Sequence, residues 1–388
     1  MLTLINEIIT LFGPRVAGSE AESKAQNFIA EKCRAFTPRV QILEFKEYLN
    51  ARFGKLRYYV LIYFLSIVIV KFSPFVALLL TSISVFFILF DLTMYRNVLT
   101  NFPGKLQTSS NVEATIEPTG EVKSTLIFSG HMDSTLEYRW WYKYGETGVK
   151  LTVACGVLMA LQLIYNLSVT IQPYTGADYL WWFFLLASPL TMVWWSMYTE
   201  EGVPGAQDNL SGIAIAFETF RHFSDAKSNG QSILKNTRIK FISFGSEEKG
   251  LCGSRAYTKM KEVELKNGNA HLINIDGVRL VEEIAVVNSE TMNGAKHSPV
   301  LIQKLNESFK IVHSTPKNVA VPIGGTDAVS FTRKGIPAVT IIGMSATNYD
   351  FTYHTRNDVV EHIEPESLEI VKKALVHFVE SWDNPQNT

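Results

Sequence analysis

Cysteine is scarce in this chain. Cys33, Cys155 and Cys252 are the only three among 388 residues, odd in number and far apart. No disulfide framework and no CxxC metal site follows from them. Charge of one sign is also missing: 36 Lys and Arg against 37 Asp and Glu give a formal net charge of -1. Without a basic stripe, a nucleic-acid partner is excluded. There is no GxSxG nucleophile elbow and no HExxH helix, so the common serine-hydrolase and single-zinc protease patterns are absent. The opening MLTLINEIITLFGPR has no basic n-region and carries Glu7 inside its apolar stretch. It does not read as a signal peptide. Leu2, Ile5, Ile8, Ile9 and Phe12 fall instead on one face of a helix. There is no internal repeat and no low-complexity segment.

What the chain has in excess is apolar residues, 47% against 19% charged, and the excess is concentrated in two blocks. Tyr58 to Val70 carries no charge for 13 residues and Phe72 to Phe90 for 19, with Lys71 between them. Leu151 to Ala177 is uncharged for 27 residues and Tyr179 to Thr199 for 21, with Pro173 and Gly176 marking a turn. A membrane-spanning helix takes about 20 residues, so three of these runs suffice and the shortest is marginal. Trp181, Trp182, Trp194 and Trp195 cluster near the ends of the last run, as interfacial aromatics do. Residues 56–95 and 151–199 therefore read as two transmembrane hairpins, and residues 1–50, 97–150 and 200–388 as one catalytic domain.

That domain alternates helix and strand. Strands are expected at Arg39 to Lys46, in NVEATIE and STLIFSG, and at Arg238 to Phe244, His271 to Ile275, Ile284 to Val287 and Ala338 to Ile342. Helices are expected from Ser19 to about Phe36, from near Asn209 and near Gly253, over Pro299 to Phe309 and over Pro365 to Trp382. Such alternation gives an α/β sheet with helices on both faces, and ligands of such sheets collect beyond the carboxyl ends of strands.

Five short segments lie there. Gly130-His131-Met132-Asp133-Ser134 follows a strand; His131 offers an imidazole to a metal, and Asp133 can hold its other nitrogen. Alone it is as readily an ordinary turn. Asp208 stands in GAQDNLSG before an apolar helix, where it is equally a helix cap. Ser246-Glu247-Glu248 ends a buried strand. Adjacent carboxylates repel, and a metal gives them a reason, one as ligand and one free as base; the alternative is a solvated turn with Lys249 as partner. Asp276 ends the strand in LINIDGV, and Tyr353-His354-Thr355 follows the last strand and a polar loop. The set decides the matter. Two histidines and three carboxylates can surround two divalent ions about 3.5–4 Å apart if one carboxylate bridges them. Nitrogen and oxygen donors without thiolate suit zinc, with cobalt or manganese as possible substitutes.

The ordered series GHMDS, GAQDNLSG, SEE, NID and YHT resembles the co-catalytic zinc aminopeptidases of clan MH, the bacterial leucyl aminopeptidase-like peptidase family M28. FGPRVAGSEAESKAQNFIAEKC resembles that family's N-terminal helices, and IGGTDAVSFTRKGIPAVTI its segment before the last histidine. The likeness covers about residues 1–50 and 105–385, outside the two apolar blocks. It implies a zinc-exopeptidase α/β/α sandwich with a mixed central sheet. It implies that His131 and Asp276 bind one zinc, Glu248 and His354 the other, and that Asp208 bridges them. Glu247 is then the general base for a metal-activated water, Asp133 the acid that orients His131, and Tyr353 an oxyanion stabiliser. The implied activity is removal of N-terminal residues from peptides.

The departure from the family is the distance from Asp133 to Asp208, which the second apolar block fills. Both ends of that block must return to one site, so it crosses a membrane an even number of times or none. The same parity favours counting the 13-residue run as a span, lengthened by snorkelling of Arg57 and Lys71. Long buried helices or a hydrophobic lid are the alternative. Arg52, Lys55, Arg57, Arg96, Arg139, Lys143 and Lys150 flank the spans on the catalytic side, against Lys71 and Asp178 on the far side. The positive-inside rule then makes this an integral membrane protein with its catalytic domain in the cytoplasm. Rival readings are a glutaminyl cyclase, a carboxypeptidase or dipeptidase on the same fold, and a non-catalytic membrane receptor or scaffold. The other histidines read as structural. Asp327 either shapes the pocket or forms a turn, Asp358 caps a turn, and Glu200 and Glu201 either meet a substrate amine or form an interfacial charge pair.

Overall fold

The structure, a computed structural model, describes residues 1–49, 53–96, 102, 104–172, 176–230, 234–344 and 349–384. The expected turn residue Pro173, the flanking Arg52 and the domain edges at 50 and 97 lie outside the described residues. The chain forms two compact units, one of Met1–Leu49, Leu106–Thr135 and Gly202–Thr388, the other of Asn50–Lys105 and Leu136–Glu201. Residues 136–150, assigned by the sequence to the catalytic part, group with the second.

The strands in chain order are β1 (Val40–Glu47), β2 (Gln107–Ile116), β3 (Ser124–His131), β4 (Leu136–Tyr138), β5 (Tyr198–Gly202) and β6 (Thr237–Phe244). They continue with β7 (Ala270–Asp276), β8 (Ile284–Glu290), β9 (Ala295–Lys296), β10 (Lys317–Val321) and β11 (Ala338–Gly343). Nine of them make one sheet in the order β1-β2-β6-β3-β7-β11-β8-β10, with β9 on β8. The middle strands β6, β3, β7 and β11 run parallel, while β1–β2, β2–β6 and β11–β8 are antiparallel, so the sheet is mixed. The sequence reading does not include β10.

Alternation of side chains builds the two faces. Leu126, Phe128, Ile239, Phe241, Ile273 and Ile275 pack with the helices Leu2–Phe12, Glu20–Arg34, Gly212–Ser228, Pro299–Ile311 and Pro365–Asp383. Ile127, Ile242, Phe244 and Leu272 turn to the other face, under Tyr257 and Leu265 of the helix Cys252–Asn267 and Phe331. The result is an α/β/α sandwich. Lys240 is buried on the second face, where Glu113 at 3.1 Å and Glu264 at 2.6 Å balance its charge.

Parallel pairing aligns strand ends. His131, the last residue of β3, lies opposite Phe244, the last of β6, and β3 pairs with β7, which ends at Asp276. Three of the five motifs thus leave the sheet along one edge by register alone.

The second unit interrupts the first at two closed points. Glu47 still pairs with Gln107 in the β1–β2 ladder, and Val203 N donates to Thr135 O at 2.9 Å. Within the second unit, Ser73 caps and Pro74 opens a helix that continues to Thr93. This helix and Glu146–Ile171 are long and apolar enough to cross a membrane, and only 22% and 28% of their most apolar windows are buried. Leu56–Ile69 is a shorter apolar helix of 14 residues. The expected fourth span does not run as one helix. Ala177–Ala187 ends after 11 residues, Ser188–Thr191 is 3-10, and Met192–Trp195 resumes. Pro189 is the reason, since its nitrogen has no hydrogen to donate to the preceding turn. Polar contacts tie the helices: Asn166 Nδ2 reaches Thr81 Oγ1 at 3.2 Å, Tyr63 OH donates to Phe184 O at 2.7 Å, and Trp181 Nε1 to Ile67 O at 2.8 Å. Lys71, just after the helix Leu56–Ile69, and Asp178, in the first turn of Ala177–Ala187, form an ion pair.

Candidate metal centre

The structure brings His131, Asp208, Glu248, Asp276 and His354 together in two groups that share one residue. Donor atoms of His131, Asp208 and Asp276 lie within 4.8 Å of one another, as do those of Asp208, Glu248 and His354. Asp208 divides itself between the histidines: its Oδ1 is 3.1 Å from His131 Nε2 and its Oδ2 3.2 Å from His354 Nε2. Asp276 Oδ1 stands 3.8 Å from His131 Nε2, and Glu248 Oε1 3.4 Å from His354 Nε2. Glu247 belongs to neither group, with Oε2 3.9 Å from His131 Nε2.

Several of these candidate ligands are held through the backbone. The Asp133 carboxylate, expected from sequence to orient the His131 ring, lies beside it: His131 Nδ1 is 3.1 Å from the Asp133 carbonyl oxygen and 3.5 Å from Oδ1. The carboxylate also accepts Glu247 N on Oδ1 at 2.9 Å and Glu248 N on Oδ2 at 3.0 Å. The reason is geometric: two successive amides at the end of β6 point at it, and a carboxylate with two oxygens matches them. Asp358, read from sequence as a turn cap, makes the same clamp on the other side. It is buried and accepts Gln207 N at 2.6 Å and Asp208 N at 3.1 Å. Asp208 is not a helix cap either, because the side chain at that turn that accepts Gly212 N, at 3.1 Å, is Asn209. Asn209 Oδ1 also accepts Gly277 N at 3.2 Å, and its Nδ2 donates to Ile275 O at 2.9 Å, so the Asp208 turn is tied to the Asp276 strand.

Two residues of the ligand loops sit in the left-handed region, Ser246 at φ 55° and His354 at φ 58°. Such backbone persists only where surroundings over-determine it. At Ser246 the surroundings are Glu22, whose Oε1 accepts Ser246 N at 2.6 Å and Ser246 Oγ at 3.0 Å. At His354 the neighbouring ring of Tyr353 stacks on the imidazole at 3.8 Å between centroids and 21° between planes. Tyr353 itself is 40% exposed. Asp327, weighed between pocket and turn, is fully buried, and its two carboxylate oxygens have no hydrogen-bond partner among the described residues.

The electrostatics are those of acids crowded out of water. Burial pushes the Glu247 carboxyl well above the usual carboxylate range against the pull of His131, and Asp327, Glu248 and Asp276 push the same way. Asp276 is also raised well, by burial first, and Asp327 is pushed up to about 7. Burial would raise Asp208 too, but hydrogen bonds from His131 and His354 hold it below its ordinary value. Burial opposes charge on His354, yet Glu248 and Asp208 lift it to about 10. The cluster therefore gathers protons on its histidines and acids, which is where a divalent cation would compete for the same lone pairs.

The model of Peptidase family M28 matches residues 193–379. That part of the chain resembles peptidase family M28. It contains Asp208, Glu247, Glu248, Asp276 and His354; the M28 match begins after His131. Aminopeptidase YwaD of Bacillus subtilis is 29% identical over 200 residues, 47% of this chain and 40% of its own length. The probable lipoprotein aminopeptidase LpqL of Mycobacterium tuberculosis is 26% identical over 199 residues, 43% of this chain and 37% of its own. The chain thus matches about two-fifths of the length of these relatives. Among solved structures, the zinc aminopeptidase BSAP of Bacillus subtilis superposes with a TM-score of 0.58 at 17% identity, over 98% of this chain and 94% of that one. Porphyromonas gingivalis glutaminyl cyclase gives the same TM-score at 15% identity, over 98% and 96%. The fold is therefore that of the zinc aminopeptidases and their cyclase relatives.

Proposed function

We propose that this chain is a membrane-anchored aminopeptidase with two zinc ions, cleaving N-terminal peptide bonds. The observation that carries the reading is the division of Asp208 between His131 and His354, the arrangement a bridging carboxylate needs. The donors fit zinc: two imidazole nitrogens, carboxylate oxygens and no thiolate. Glu248 Oε1 is buried with no hydrogen-bond partner among the described residues and faces His354 Nε2 at 3.4 Å, a place where a cation can sit between them. His131 and Asp276 would hold one ion, Glu248 and His354 the other, and Asp208 both.

Zinc so held supplies Lewis acidity, polarising a carbonyl and lowering the pKa of water toward about 7. Glu247 lies at the edge of both groups and takes the proton from the attacking water. A carboxyl held above its ordinary range is a stronger base than a free one, and suits handing that proton on to the leaving amine. Asp133 fixes Glu247 and Glu248 through their amides. The exposed edge of Tyr353 supplies a hydroxyl where the oxyanion forms.

The helical unit is the anchor. Two of its helices have spanning length and most of their surface is outward. The ion pair of Lys71 and Asp178 marks one end, and Arg57, Arg139 and Lys150 lie toward the other in sequence. The positive-inside rule puts that basic end, and the catalytic unit, in the cytoplasm.

The test compares wild type with Glu247→Gln, purified in detergent with zinc, on a mixed peptide library read by mass spectrometry. Wild type should release single N-terminal residues, and the variant should lose about 10²–10⁴-fold while keeping its metal. Zinc-loaded wild type that cuts nothing, but closes N-terminal glutamine to pyroglutamate, would replace the peptidase reading with the cyclase one.

A further inference from the structure

Arg15 is fully buried, and all the residues it binds except Gly13 lie far from it in sequence. Its Nε donates to Met132 O at 2.8 Å, its Nη1 to Gly13 O at 2.9 Å and Pro204 O at 2.8 Å, and its Nη2 to Gly205 O at 3.1 Å. Its backbone joins in: Arg15 N donates to Ser134 Oγ at 3.0 Å, and Ser134 N to Arg15 O at 3.0 Å. Ser134 Oγ in turn donates to Val203 O at 2.8 Å. Met132 and Ser134 flank Asp133 and follow His131. Pro204 and Gly205 precede Asp208. These are the two places where the chain leaves for the helical unit and returns from it.

From these contacts we propose that Arg15 is a positioning residue for the metal centre, setting the separation of the His131 and Asp208 loops across the helical insertion. The inference rests on the metal-site reading above. A guanidinium is suited to the task because its donors radiate in a fixed plane, and here they meet carbonyls from three separate segments at once. A buried cation with poor partners would cost several kcal/mol or more. Burial holds the guanidinium down to about 10, and Asp358, Asp133, Asp208 and Glu22 recover part of that cost while four carbonyls accept its hydrogens. Gly205 shows how tightly the loop closes on it: its φ is +65°, and a Cβ there would stand 2.8 Å from Arg15 Nη2 and 2.7 Å from the Ser134 Cβ. Ligand positions in such centres tolerate little error, and loss of an outer partner typically weakens metal binding about 10–100-fold.

The experiment measures zinc affinity by competition with a chromophoric chelator, and the visible spectrum of the cobalt-loaded protein, for the full-length chain in detergent. Arg15→Ala should keep native far-ultraviolet circular dichroism, bind zinc about 10–100-fold more weakly, and show an altered cobalt spectrum. Guanidinium at tens of millimolar should restore much of both, and equal sodium should not. A residue serving the fold alone would lower the melting temperature but leave the cobalt spectrum of the folded fraction unchanged. If Arg15→Ala does not fold, Arg15→Lys carries the test. Its single ammonium cannot serve four carbonyls, so zinc should weaken without guanidinium rescue. Wild-type affinity and spectrum in whichever of the two variants folds overturns the inference while leaving the metal site standing. A wild-type protein that takes up no zinc overturns the metal site, and the inference with it.

Discussion

The Asp133 carboxylate accepts the backbone amide of Glu248 at 3.0 Å while its other oxygen stands 3.5 Å from the imidazole two residues before it. It acts on one proposed metal ligand from the loop that carries another. Replacing it with asparagine keeps one acceptor oxygen and loses the other, so one of the two amides of Glu247 and Glu248 is released. Asp133→Asn should therefore weaken zinc binding and turnover by about 10–100-fold with the fold intact, and Asp133→Ala by more. Metal content after gel filtration, alongside kcat, checks this; unaltered zinc affinity would show that the Glu248 loop holds itself.

Asp358 is the counterpart clamp on Gln207 and Asp208. Asp358→Asn should act on the bridging ligand and so weaken both ions together, whereas His354→Ala should leave one ion bound by His131, Asp208 and Asp276. Calorimetric titration of zinc into the two stripped variants separates one remaining site from none of wild-type strength.

The metal-free protein should lose stability as the solution becomes more alkaline. Glu247 and Asp276 sit well above their ordinary values, Asp358 is raised to about 8 by burial, and His354 to about 10. Folded pKa values above unfolded ones give stability that is complete below the unfolded values and is lost as pH rises through the folded ones. The window opens near the ordinary carboxylate range and closes past about 8 for Asp358. Asp208 is shifted downward and works the other way, but only in acid. Melting temperatures in chelator should fall from pH 5 to pH 8. Zinc should flatten or reverse the slope, because it replaces those protons. A chelated protein that gains stability across that range would contradict the assigned cluster.

Gly130 precedes His131 where the helix Gly212–Ser228 crosses its strand, and a Cβ there would lie 2.8 Å from the Gly212 carbonyl carbon and from Ile213 N. Both are backbone and cannot rotate away. Gly130→Ala should cost about 1–3 kcal/mol by overpacking and shift His131, visible as a lower melting temperature together with weaker zinc binding. An unchanged melting temperature would mean that helix and strand are less closely packed.

Sidedness has a direct test, because all three native cysteines are buried. With the catalytic unit in the cytoplasm, Lys71→Cys in the far hairpin turn should react with a membrane-impermeant maleimide on intact cells, and Lys150→Cys only after permeabilisation. The reverse pattern would invert the orientation.

The strands that build the sheet centre are legible in the sequence because buried parallel strands are short continuous apolar runs, as in STLIFSG and IKFISFG. The candidate ligand series is legible because four of its motifs directly follow such a run or open a helix, and the fifth, Tyr353-His354-Thr355, follows the last strand and a polar loop. The strand at Lys317–Val321 is missed: its residues lie at the sheet edge, mostly exposed, and carry no apolar run. The break in the last apolar block is not legible from freedom from charge alone; Pro189 divides it into three helical pieces. The clamps formed by Arg15, Glu22 and Asp358 leave no pattern in the sequence, since their partners, mostly backbone atoms, are brought close only by folding.

The pairing of Glu47 with Gln107 and the bond from Val203 to Thr135 bear on how such a chain came to exist. At each junction the two host ends already touch, so whatever lies between them starts and finishes at nearly one point. A segment grafted there adds loop length but asks for no new closure of the host, and longer loops cost only logarithmically more. The host sheet can thus accept, enlarge or discard its passenger without changing its own register. A gene in which Thr135 is joined to Val203 through a short turn should encode a sheet that still closes.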